Sequence, residues 1–140
     1  MADSVRLEYE IDGENFTSAG EASVMVKKSL RQMGFDPETI RKVSVAMYEG
    51  EINMVIHAHG GKATVDVFDD KIVIVLADRG PGIPDIELAM QAGYSTAPDN
   101  IRSLGFGAGM GLPNMKKYTD GMTIESEVGV GTTITMVVNV

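Results

Sequence analysis

KATVDVFDDKIVIVLADRGPGI, residues 62–83, holds two β-rich segments separated by Asp69 and Asp70. Their strand-forming composition, with a tight acidic turn between them, predicts a hairpin of antiparallel strands. The second segment is apolar without a break from Ile72 to Ala77, the pattern of a strand at the centre of a sheet. It runs straight into Asp78, followed by glycines at 80 and 82 and prolines at 81 and 84. Asp, Gly and Pro are the usual residues of a strand-ending turn. A carboxylate at a strand end beside a pocket can equally accept a hydrogen bond from an exocyclic amine such as that of adenine.

Before this hairpin, residues 4–11 alternate apolar Val5, Leu7, Tyr9 and Ile11 with polar residues, which predicts a half-buried strand. A helix is expected next, with Ser18 as its cap, Glu21 three residues on, and a stripe through Ala22, Met25, Val26, Leu30 and Met33 that stops at Gly34. Asp36 then caps a second helix with Pro37 at its first position, and this helix can run to Gly60 and Gly61. Glu49 and Asn53 stand four residues apart on it, hence on one face, among apolar Met47, Ile52, Val55 and Ile56. Such a pair is the ordinary polar face of a solvated helix. On a buried helix it also suits a general base and one neutral Mg²⁺ ligand, because Mg²⁺ takes few protein oxygens and completes its shell with phosphate and water. His57 and His59 read as residues of the helix end.

Beyond the hairpin, a short helix is expected at residues 84–91, then a polar, irregular stretch to about residue 104. SLGFGAGMGLPNMKK, residues 103–117, sets glycines at 105, 107, 109 and 111 before a helix that Gly121 stops. Each glycine in regular structure costs roughly 0.5–1 kcal/mol relative to alanine. The spacing does not fit the dinucleotide fingerprint, and no GK[ST] ending is present for a P-loop. A mobile loop, or a run of backbone N–H groups facing an anion at a helix start, remain as readings. Residues 122–140 give two further strands around a glycine-rich turn at 129–131, with Thr132 entering the last strand. The order of elements predicts a two-layer α/β sandwich, with a mixed, mostly antiparallel sheet covered on one face by helices.

The chain has 140 residues, the size of one domain. It contains no cysteine, so thiolate chemistry is excluded. Twelve Lys and Arg against twenty Asp and Glu give a net charge of −8, which argues against nonspecific binding to nucleic acid or anionic membrane. No apolar run approaches the ~20 residues of a membrane span, and a cytoplasmic protein is expected.

Taken together and in order, these clusters resemble the GHKL, or Bergerat-fold, ATP-binding family over nearly the whole chain. Glu49 and Asn53 are similar to its N box, DRGPG to its G1 box, GAGMGL to its G2 box, and GVGTT to the segment that closes the adenine site. The resemblance implies ATP or ADP with Mg²⁺ held by Asn53, an adenine pocket formed by Asp78, Gly82 and Thr132, and Gly80 and Ile83 as further nucleotide-binding residues. It implies a lid over about 93–108 containing Arg102 and Gly105, phosphate contacts from the N–H groups of Gly107, Gly109 and Gly111, and Ala108, Met110 and Leu112 as further nucleotide-binding residues. A single domain over 1–140 leaves no room for the transducer domains of gyrase-like relatives or the dimerisation helices of sensor kinases. The chain therefore looks like the anti-sigma-factor type of serine kinase from bacterial partner-switching modules, with Glu49 as the base that takes the seryl proton. Its implied partners are a STAS-domain antagonist and a sigma factor or other regulator, while the sequence leaves open whether the chain forms a homodimer through its first strand and helix. The alternative is a nucleotide-controlled regulator-binding protein with little or no kinase activity.

Overall fold

A computed structural model describes residues 4–12, 20–57, 60–80 and 111–140. Among them are β1 (Val5–Asp12), α1 (Glu21–Gln32), α2 (Pro37–His57), β2 (Gly60–Val67), β3 (Lys71–Asp78), α3 (Gly111–Lys117), β4 (Gly121–Glu127) and β5 (Gly131–Asn139). The expected helix at 84–91 and the Ser18 cap lie outside the described residues.

The strands form one five-stranded sheet in the order β1-β2-β3-β5-β4, and every pairing is antiparallel. The expected mixed sheet is thus corrected to an antiparallel one among the described strands. The reason lies in the connections: β2–β3 and β4–β5 are tight hairpins, and two helices separate β1 from β2, instead of the single crossover helix that makes a parallel pair.

Alternation puts Ile72, Ile74 and Leu76 on one face of β3. The register sets them beside Val67, Val65 and Ala63 of β2, and beside Val138, Met136 and Ile134 of β5. All of these are buried. On the other face Val73, Val75 and Ala77 are only half-buried, so the described helices cover one side of the sheet as expected. The helices complete the core with Val26 and Leu30 from α1, Val43, Ala46 and Met47 from α2, and Leu112 and Met115 from α3. The buried stripe of α1 is narrower than its apolar composition suggests: Ala22, Val26 and Leu30 repeat at four residues, whereas Met25 and Met33 fall beside that stripe and are exposed.

Helix ends follow local chemistry. The Gly34 N–H donates to the Arg31 carbonyl at 3.1 Å and the Phe35 N–H to the Leu30 carbonyl at 3.2 Å, the paired bonds of a Schellman stop. At the start of α2 the Thr39 N–H donates to Asp36 Oδ1 at 2.8 Å, and the Thr39 hydroxyl donates to Oδ2 at 3.2 Å. Midway along α2, Gly50 marks the closest approach to the sheet. A Cβ there would overlap Cδ1 of buried Leu76 and lie 3.2 Å from Met115 Sδ. A glycine in a helix interior costs about 1 kcal/mol relative to alanine. Here that cost accompanies a contact of α2 with both β3 and α3.

Two outcomes follow from this packing. Gly50→Val should destabilise the fold by roughly 1–3 kcal/mol in urea denaturation, the usual cost of overpacking; unchanged stability would show that Leu76 can move aside. The second concerns pH. The Thr39 N–H holds the Asp36 carboxyl below its ordinary value of 3.8, with smaller help from the Thr39 hydroxyl and Lys42. A depressed carboxyl pKa contributes stability above the ordinary value, which is lost as pH falls through the depressed one. Asp36→Ala should therefore lower the melting temperature at pH 7, and the gap to wild type should narrow on acidification below pH 3.8. A gap that stays constant down to pH 2 would contradict the cap.

Candidate functional site

The alternation that buries β3 also places its last residue. Asp78 follows Ile72, Ile74 and Leu76 on the helix-covered face, and Thr132 follows Val138, Met136 and Ile134 on the same face of β5. Ser126 of β4 pairs with Thr132, as Ile124 pairs with Ile134. One step past the apolar core, the sheet thus ends in a polar row of Asp78, Thr132 and Ser126.

Hydrogen bonds knit this row. Asp78 Oδ1 accepts the Thr132 N–H at 2.9 Å and the Gly80 N–H at 3.0 Å. Thr132 is only 5% exposed, and its Oγ1 lies 2.8 Å from Ser126 Oγ. The Ser126 hydroxyl also lies 3.4 Å from the Gly131 carbonyl oxygen. No described residue donates to Asp78 Oδ2. Gly131 has φ +152, and a Cβ there would overlap the Asp78 carbonyl oxygen and lie 3.3 Å from Oδ1. Only glycine lets β5 begin this close to the carboxylate.

Helix α2 overlies this end of the sheet. Gly50 rests on Leu76, and Met54 packs against Gly61, the β2 partner of Asp78. Glu49 and Asn53 are half-buried on α2. Glu49 Oε1 is 3.5 Å from Asn114 Nδ2 of α3, which ties the two helices together. The Asn53 amide has no hydrogen-bond partner among the described residues. Gly111 opens α3 and Leu112 is buried beneath it.

Of the expected site residues, the structure therefore gathers Glu49, Asn53, Asp78, Gly80, Leu112 and Thr132 on α2, α3 and the adjoining strand ends, with Gly111 starting α3. Gly82, Ile83, Arg102, Gly105, Gly107, Ala108, Gly109 and Met110, and with them the lid at about 93–108, lie outside the described residues. Among the described residues no three His, Cys, Asp or Glu side chains gather around a metal position. A Mg²⁺ at Asn53 would take most of its shell from phosphate and water.

Three residues with a part in this arrangement escaped the sequence reading. Asn114 is one, reaching Glu49 across 65 residues. Gly50, which seats α2, is the second. The third is Glu51, a carboxylate 2% exposed, whose oxygens accept the backbone N–H groups of Gly20 (2.8 Å), Ala22 (3.2 Å) and Ser23 (3.0 Å) at the start of α1. The described first turn of α1, with Gly20 at its cap position, is capped from α2. A signal was present in the sequence: a charged residue between Gly50 and Ile52 on a buried helix needs partners.

The described residues thus offer a hydrogen-bonded carboxylate at the end of β3 and, on α2, a second carboxylate and an amide. No helix among the described residues is long and apolar enough to cross a membrane. Residues 5–138 match the histidine kinase-like ATPase domain. The chain is 31% identical over 133 residues to the anti-sigma F factor of Pasteuria penetrans, covering 87% of this chain and 85% of that one. It is 38% identical over 104 residues to the anti-sigma F factor of Clostridium acetobutylicum, covering 71% of this chain and 69% of the relative. A crystal structure of the RsbU and RsbW domains of a Mycobacterium tuberculosis protein superposes with a TM-score of 0.66 at 18% identity. That likeness, over 96% of this chain and 32% of the other, concerns the fold. With an antiparallel sheet whose described helices cover one face and a family match over residues 5–138, the chain belongs to the histidine kinase-like ATPase family.

Proposed function

We propose that this chain is a cytoplasmic, Mg-ATP-dependent protein serine/threonine kinase of the anti-sigma type, a single domain acting on a serine of a STAS-domain partner. The observation that carries the reading is Asp78. Oδ1 accepts from Thr132 and Gly80, and Oδ2, to which no described residue donates, would accept the adenine amine. Thr132 Oγ1, 2.8 Å from Ser126 Oγ, belongs to the same polar row.

Asn53 would supply the protein's oxygen to Mg²⁺, and bound Mg-ATP supplies the γ-phosphoryl group together with charge neutralisation on it. Glu49 takes the proton of the attacking seryl hydroxyl as that oxygen forms its bond to phosphorus and ADP leaves. Among the described residues Asn114 bonds Oε1 alone, and Oε2 would take that proton. Phosphoryl transfer asks the protein mainly for position and charge stabilisation, and a rigid α2 over a rigid strand end supplies the first. Gly111 and Leu112 begin the helix that follows the glycine-rich segment, whose N–H groups are the proposed phosphate donors.

A second reading rests on the names of the relatives, which are anti-sigma factors. In it, nucleotide state controls binding of a sigma factor or other regulator, and phosphotransfer is incidental. The two readings separate on transfer itself.

With radiolabelled ATP and the STAS-domain protein of its own genome, wild type should label the partner on serine. Glu49→Gln should lose at least 100-fold in rate, the scale of a general base, while ATP affinity stays within about threefold. Full transfer by Glu49→Gln would remove the base assignment, and no transfer by wild type would favour the regulator-binding reading. Mg-ATP at about 100 times its Kd should stabilise wild type by about 2.7 kcal/mol through mass action. Asp78→Ala should abolish that gain in a thermal-shift measurement, and an equal gain in the variant would show that the base binds elsewhere.

A further inference from the structure

We propose that Glu51 is a positioning residue of the nucleotide site, setting the roll of α2 that aims Glu49 and Asn53; this rests on the ATP-site reading above. On a helix of 3.6 residues per turn, Glu51 lies about 200° around the axis from both Glu49 and Asn53. It therefore points away from the site, toward α1. There its two oxygens hold three N–H groups: Oε2 accepts from Gly20 and Ala22, and Oε1 from Ser23.

Those donors are the orphan N–H groups of a helix start, where the helix dipole also favours a negative charge. Helix α1 has no side-chain cap of its own, because Gly20 occupies the cap position. The bidentate arrangement matters for function. A single hydrogen bond would let α2 turn about its axis, whereas two oxygens fixed to successive N–H groups oppose rotation. Gly50, one residue earlier and about 100° around the helix, is wedged on Leu76 and Met115. Clamped on one side and wedged on another, α2 is left with one roll angle.

The size of the effect follows from helix geometry. Side-chain tips lie roughly 5–6 Å from the axis, so a roll of about 20° moves them by roughly 2 Å. Productive site geometry tolerates about 0.5 Å. Loss of the clamp should therefore disturb what Asn53 and Glu49 do while sparing Asp78, which sits on the sheet.

The experiment compares wild type, Glu51→Gln and Glu51→Asp, the last keeping the charge but withdrawing it by one methylene. Each is checked by circular dichroism and studied at a temperature at which it is folded. Calorimetry measures Kd for ADP without Mg²⁺ and for ATP with and without Mg²⁺. The expected result is an ADP affinity within about threefold of wild type in both variants, and a Mg²⁺-dependent gain in ATP affinity reduced at least tenfold in one or both. In an Asn53→Ala background the Glu51 substitutions should change ATP affinity no further, since they act through Asn53. Two folded variants that both keep the wild-type Mg²⁺ gain, or that lose ADP and ATP affinity in equal measure, would reduce Glu51 to a structural cap and overturn the proposal. Absence of nucleotide binding by wild type would instead overturn the ATP-site reading beneath it.

Discussion

Asp78 stands where the buried row of β3 would otherwise continue with an apolar side chain, and the register of β3 against β5 brings its Oδ1 to the Thr132 N–H at 2.9 Å. A carboxylate in that place is costly unless it is hydrogen-bonded. The Gly80 N–H supplies a second bond, and Gly131 removes the Cβ that would keep β5 away. The same bonds that join β3 to β5 leave Asp78 Oδ2 without a donor among the described residues. β3 is the central strand, paired with β2 and with β5, so Asp78 stands at the end of a strand held on both sides.

What lies above the acceptor is set by α2. Three consecutive residues divide its circumference: Glu49 toward α3 and the site, Gly50 onto Leu76, and Glu51 into the start of α1. Local propensity favours none of these choices, since a glycine weakens the helix and a buried carboxylate needs three backbone donors. Each is explained by a neighbour in the fold. Residues that look expensive in isolation are the ones that join the helix layer to the sheet.

The legible parts of the sequence were those whose partners are close by or whose pattern repeats. Alternation in residues 5–11 and the unbroken apolar run of Ile72 to Ala77 gave the strands, and Asp36 with Pro37 gave the start of α2, because caps and hairpins are made within a few residues. Glu49, Asn53, Asp78 and Thr132 stood out because each couples an unusual residue type to a definite place on an element. The structure places these residues around one end of the sheet; their roles in binding and transfer are proposals. The clamp on α1 was not legible, since Glu51 finds its donors 28 to 31 residues away. Nor was the antiparallel pairing of the whole sheet, which depends on how many helices cross between strands, or the exposure of Met25 and Met33, which depends on where the centre of the buried stripe falls.

Recognition of adenine at the Asp78 row is tested most directly by following the backbone amide resonances of Thr132 and Gly80, the two N–H groups bonded to Asp78 Oδ1, during titration with ATP and with GTP. If Oδ2 accepts the adenine amine, both resonances should shift and saturate with ATP, while GTP, which presents a carbonyl oxygen at that position, leaves them in place. Equal shifts with GTP, or ATP-induced shifts that bypass these two amides, would contradict an adenine site built on this carboxylate.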